Sequence, residues 1–306
     1  MRDFMMQRRY IGITALLSLA VSLSLACGND DNSDDAASTA GGSGSSPSNS
    51  SGAGGTAAST TTLGASTTTG GSNASGSSTF TGTLDNFSFF VTSQAAMLQL
   101  ANSPDGFGGD LRFGEADGLT GADKICATIA ELSMPGASSK GWRAFLSVTA
   151  GVDGKPVNAI DRIGDGPWYD RLGRLVAPNK AALQNPRPTG GDSTIASDLP
   201  NENGVRNSTA EGEAVNNHDT LTGSDKQGTI GSYTRANTCN DWTSTEGTVG
   251  QPQIGHSWPR ADGVNWISEH QAPGCAAGVS EIATSGGLCV GCAGGYGGIY
   301  CFALKP

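Results

Sequence analysis

Six cysteines in the C-terminal two thirds of the chain, Cys126, Cys239, Cys275, Cys289, Cys292 and Cys301, constrain its fold more than any other feature. In an oxidising compartment six cysteines pair as three disulfides, and each pair must approach to within about 7 Å at Cα. Spacing alone leaves fifteen connectivities open. The seventh cysteine, Cys27, is of another kind, because it closes an apolar stretch at the N-terminus. The N-terminal segment therefore decides which redox compartment the other six meet.

Arg2, Arg8 and Arg9 precede an apolar run from Ile11 to Ala26. A positive start, a short apolar middle and a small residue at the break are the parts of a secretory signal peptide, which we place over residues 1–26. At about sixteen residues the run falls short of the roughly 20 that a membrane span needs. Its end, Leu23-Ser24-Leu25-Ala26-Cys27, resembles the lipobox of bacterial lipoproteins, with Ser24 where a large aliphatic residue is usual. The resemblance implies that Cys27 carries a lipid; an ordinary cleavable signal is the competing reading. From Cys27 to Ser78 the chain is almost entirely Gly, Ser, Thr, Ala, Asn and Asp, without one aromatic residue. Such a composition cannot offset its ordering entropy by burial, so it reads as a disordered tether with a reach of about 40 Å. The expectation is an exported protein, lipid-anchored at the outer membrane or cell surface of a bacterium, with the membrane as its first partner.

Residues 79–306 are globular in composition and make one α+β domain. Asn86–Thr92, rich in aromatic and β-branched residues, predicts an opening strand. A helix is predicted from Thr120, with Thr120 as cap, Asp123 at the capping-box position, and Ile125, Cys126, Ile129, Ala130 and Leu132 as its apolar stripe; Pro135-Gly136 ends it. Trp142–Val148 alternates as a core strand does. From Asn185 to Asn217 Pro, Gly and Asn punctuate the chain into a long loop, and Gly298–Leu304 predicts a closing strand.

These segments carry a resemblance. Gly118-Leu119-Thr120-Gly121-Ala122-Asp123, Cys126 and Trp142-Arg143-Ala144-Phe145-Leu146-Ser147 resemble the helix and first core strand of endostatin. Thr222-Gly223-Ser224-Asp225 with Gly228, then Cys239, Trp242, Gly255-His256-Ser257, and Cys292 to Tyr300-Cys301 continue the likeness in the same order. Phe89-Phe90-Val91-Thr92-Ser93 and Gly166-Pro167-Trp168-Tyr169-Asp170 are similar to a bacterial lipoprotein family of the same fold, whose function is not established. The resemblance implies a disulfide-stabilised C-type-lectin-like domain. It also implies that Cys126 joins Cys301 and Cys239 joins Cys292, which leaves Cys275 to Cys289. A metal site on Cys289-Val290-Gly291-Cys292 is the rival, and an exported location disfavours it.

Chemistry is harder to find. The net charge of −10 argues against nucleic acid and against heparin-like polyanions, which need a basic footprint. His218, His256 and His270 are scattered in sequence, without a His-X-X-X-His or Gly-X-Ser-X-Gly arrangement. Asp219 beside His218 and Glu269 beside His270 read as solvated surface pairs, so we assign no catalytic residue and no metal ligand. The loop offers Asp192, Asp198, Asn201, Glu202, Asn203, Glu211 and Glu213, hard oxygens of the kind that calcium takes, although a solvated acidic loop is the favoured reading. Leu199-Pro200-Asn201 and Gln251-Pro252-Gln253 each lack one coordinating oxygen of the sugar-binding signatures of C-type lectins. Trp142 and Trp242 read as core, whereas Trp258 and Trp266, flanked by Pro259, Gly263 and Asn265, are candidates for partial exposure, with packing the loop down as the commoner role of such residues. Asp192, Asp198, Asn201, Glu202, Asn203, Trp258 and Trp266 thus form the expected ligand surface, with no cofactor other than calcium in view. The expected function is non-catalytic binding of an extracellular protein or glycan. A structural envelope lipoprotein without a soluble ligand is the alternative, and a secreted hydrolase the third.

Overall fold

A computed structural model of the chain describes residues 82–210, 216–261, 263–280 and 287–305. The signal peptide over 1–26, Cys27, the tether to Ser78, and Glu211 and Glu213 lie outside the described residues. What is described is a mixed α+β fold organised on one long strand, β8 (Gly295–Ala303). β1 (Phe89–Val91) and β2 (Trp142–Ala144) pair antiparallel with its second half, and both meet Cys301 in register. β5 (Asp219–Leu221) runs parallel to its first half, and β6 (Gln253–His256) and β7 (His270–Gln271) extend the sheet outward, so β7 is an edge. A separate two-stranded ribbon joins β3 (Trp168–Tyr169) to β4 (Leu175–Ala177).

The sheet is covered on both faces, and strand alternation explains how. Phe90, Ile299 and Cys301 point to one face, where they meet Trp142, Met97 and α2 (Gly118–Ser133). Phe89, Val91, Tyr300 and Phe302 point to the other, against Phe145, Trp168 and Trp266. Successive side chains of a strand alternate sides, so β1 and β8 serve two cores at once. Phe89 meets Phe302 edge-on at 4.9 Å between centroids, and Phe90 meets Trp142 at 4.9 Å.

Several expectations need correction. The cap of α2 is Asp117, whose carboxylate accepts from the Thr120 amide at 2.9 Å, so the helix starts two residues before Thr120. Asp123 turns inward instead, where Oδ1 accepts from the Ala144 amide at 2.9 Å and both oxygens take Arg162 at 2.8 Å. Burial raises its pKa, and Arg162 only partly offsets that effect. Leu132, assigned to the apolar stripe, is 62% exposed. β1 and β2 are shorter than the strands the sequence predicts.

The disulfides follow the expected pairing only at Cys126–Cys301, which staples α2 to β8. The remaining pairs are Cys239–Cys275 and Cys289–Cys292, not Cys239–Cys292 and Cys275–Cys289. The reason is local. Ala276 bridges to Cys289, with the Ala276 amide donating to Leu288 and the Val290 amide to Ala276. Neighbours in extended chain point to opposite sides, so Cys275 faces away from Cys289 and toward Cys239, 5.6 Å distant at Cα. A turn then returns Cys292 to Cys289, its amide donating to the Cys289 carbonyl.

Candidate metal centre

The outer strands bring together what the sequence keeps apart. Asp219 of β5 lies directly opposite His256 of β6. His270 of β7 lies opposite Ile254, two residues from His256 and therefore on the same face. His218 precedes β5, where the register against β8 slips between Asp219 and Thr220. His218 thus lies outside the alternation of the strand, and its ring converges with the Asp219 carboxylate.

All three imidazoles aim Nε2 at one carboxylate oxygen. Asp219 Oδ1 is 3.1 Å from His218, 3.4 Å from His256 and 3.5 Å from His270. Each of the four residues offers a ligand atom, and these atoms lie within 4.8 Å of one another. His218, Asp219 and His256 are buried, while the His270 side chain is 31% exposed and opens the group toward solvent. The rings meet edge to face, at 4.4 Å between His218 and His256 and 5.0 Å between His256 and His270.

The other ring nitrogens settle the tautomers. Nδ1 of His256 lies 3.2 Å from the Gly263 carbonyl, that of His270 3.2 Å from the Gln271 carbonyl, and that of His218 2.6 Å from Asn216 Oδ1. A carbonyl oxygen only accepts, so in the neutral ring each Nδ1 carries the proton and Nε2 turns its lone pair to the centre, as a metal ligand must. Three lone pairs and a carboxylate repel one another unless positive charge sits among them. A proton can serve one of the pairs; a divalent cation serves all four. With metal–ligand bonds of about 2.0–2.1 Å, a tetrahedral zinc-class ion separates its ligands by about 3.4 Å, close to the spacing found between Asp219 Oδ1 and the three nitrogens. Calcium, which takes six or more oxygens, does not suit this donor set.

Glycine and arginine hold the group in place. A Cβ built on Gly294 would stand 2.2 Å from His218 Cε1, so the ring lies against bare backbone there. The Asp219 amide donates to the Gly294 carbonyl at 2.9 Å, and Gly295 abuts Asp219 in the same way. Gly294 and Gly295, within the glycine-rich run 293–298, thus floor the centre. Arg187, on the long loop, donates to the carbonyls of His256 at 2.5 Å and Ser257 at 2.7 Å. Burial lowers its pKa, with Tyr300 and Asp198 acting against that. Trp258 rests edge-on against His218 at 5.4 Å, donates Nε1 to Asn217 Oδ1, and carries Arg260 over its ring.

The expected ligand surface fares otherwise. Glu202 accepts from the Ser93 amide at 2.9 Å and hydroxyl at 2.6 Å, and Asp198 accepts from the Ser208 amide and hydroxyl. Asn201 accepts from the Asn203 and Val205 amides, and Asp192 from Thr194. These oxygens cap turns rather than converge, and among the described residues they form no ligating group. Trp266 is fully buried and donates to the Leu183 carbonyl, so it belongs to the core; Trp258 is half-buried beside the histidines. Reading His218 and Asp219 as a solvated pair is likewise overturned. Glu269 turns away from His270 to accept from the Val264 and Asn265 amides. One signal was available in the sequence: all three histidines of the chain fall between residues 218 and 270. Strand register, which makes them neighbours, was not.

No protein-family model matches this chain, and no curated protein matches it.

Proposed function

We propose that the domain is a non-catalytic binding module built on a zinc-class metal centre, with His218, His256, His270 and Asp219 as the ligands. The observation that carries this reading is the convergence of three Nε2 lone pairs on one buried carboxylate oxygen at 3.1–3.5 Å. Four protein ligands complete a tetrahedron and leave no open position for water, which favours holding the ion over turnover. The borderline nitrogen-rich set suits zinc, and nickel or copper would compete by intrinsic affinity.

The wider reading rests on the sequence. A signal peptide, Cys27 and the 27–78 tether support an exported lipoprotein that presents the domain away from a membrane. The antiparallel pairing of β1 with β8 and the Cys126–Cys301 staple support the C-type-lectin-like reading of the fold. Trp258, half-buried at the rim of the metal centre, supports recognition of an extracellular protein or glycan at that rim. The test is elemental analysis of the full chain in detergent after equilibration with zinc and gel filtration. One equivalent of zinc, lost in Asp219→Ala, is the expected result; no zinc in the wild type would end the proposal.

A further inference from the structure

The three disulfides differ in what can reach them. Cys126, Cys301, Cys239 and Cys275 have no exposed surface, whereas Cys289 is 5% exposed and Cys292 is half-buried. Thiol–disulfide exchange requires approach to a sulfur, so a reductant acting on the folded protein meets Cys289–Cys292 first. This bond joins residues three apart, against 175 and 36 for the others. A cross-link of such short span restricts the unfolded chain far less than the longer two, so opening it leaves most of the disulfide stabilisation in place.

What the short bond does restrain is the floor of the metal centre. Inside the turn it closes, the Gly291 carbonyl accepts from the amides of Gly294 and Gly295, both at 3.1 Å. Gly294 in turn receives the Asp219 amide and backs the His218 ring. Gly278 packs against Cys289 Sγ, and the Ser280 amide donates to the Gly295 carbonyl, so a second segment bears on the same turn. Two of the four ligands are thus seated on a residue two positions beyond Cys292.

We propose that Cys289–Cys292 is a redox latch that regulates metal retention at the His218–Asp219–His256–His270 centre, an inference that rests on the metal reading above. A dithiol reductant supplies two electrons and two protons. The protein S–S bond becomes two thiols and the reductant leaves as its own disulfide. The turn then relaxes, Gly294 draws back from His218 and Asp219, and the ion is held less tightly.

The experiment measures zinc affinity by competition with a chromophoric chelator, using the full chain in detergent. It compares oxidised wild type, wild type reduced with a water-soluble phosphine that does not itself compete as a thiol, and the double variant C289S/C292S. Affinity should fall about tenfold or more in both altered forms, the size typical of losing the groups that orient metal ligands, with stoichiometry still at one. Alkylation and peptide mapping of the reduced sample should find only Cys289 and Cys292 modified. Gly294→Ala in the oxidised protein should weaken zinc to a similar extent, by placing a methyl against His218 with the disulfide intact. Wild-type affinity in C289S/C292S, earlier opening of a buried disulfide, or a second zinc captured by the freed thiols would each overturn the latch alone. Oxidised wild type that takes up no zinc would bring down the metal reading and the latch with it.

Discussion

The two ends of the central sheet are built on opposite terms. Around β1, β2 and β8 the side chains that fill both faces are Phe89, Phe90, Trp142, Tyr300 and Phe302, and Cys126–Cys301 stitches a helix to the middle strand. At β5, β6 and β7 the corresponding places hold Asp219, His256 and His270, joined by His218. The first end is stable by apolar burial and needs nothing from outside. The second buries polar groups, which is unfavourable unless their charges and lone pairs are satisfied. The contrast separates the part that keeps this domain folded from the part proposed to bind a metal ion.

The comparison can be broken most directly at the apolar end. Phe302→Ala should cost about 3–5 kcal/mol of unfolding free energy, because it empties a site packed by Phe89, Phe145 and Trp168. Chemical denaturation should give the same loss with and without zinc; a loss that zinc repairs would mean the two ends are coupled. Next in size is the metal's own contribution. Zinc at a hundredfold above its dissociation constant should stabilise the wild type by about 2.7 kcal/mol and leave Asp219→Ala unchanged, which parallel denaturation curves would show. Acidification sharpens the same point. Imidazole and carboxylate ligands must be proton-free to bind, so zinc affinity should fall as pH falls, with protons released on uptake in a calorimetric titration across buffers. The smallest effect is expected from calcium. Since Asp198 and Glu202 are engaged by Ser208 and Ser93, millimolar calcium should leave the thermal midpoint where it was.

The same division marks what the sequence could disclose. Helix α2 and strands β1, β2 and β8 follow from periodicity and composition, because apolar residues report their own burial. Their lengths and caps were less legible: Asp117 outcompetes Thr120 as cap simply because it stands where the chain enters the helix. The candidate metal centre was illegible for a different reason. Asp219 and His256 are made neighbours by antiparallel register, and His270 by a second pairing, and no local pattern encodes register between distant segments. The disulfides fall between the two cases. Cys126–Cys301 was expected from a resemblance in sequence, whereas the pairing of Cys275 with Cys239 depends on which neighbour, Cys275 or Ala276, faces Cys289. For the acidic loop the sequence left a solvated and a calcium reading side by side, because hard oxygens in a loop look alike whether they bond to nearby amides or gather around an ion.

The central claim is that four residues from the outer strands hold one zinc-class ion. X-ray absorption at the zinc edge of the loaded full chain tests it most directly. About four nitrogen and oxygen neighbours at about 2.0 Å are expected, with the outer-shell scattering of imidazole rings. A sulfur shell at about 2.3 Å, or a shell of oxygen alone, would contradict it.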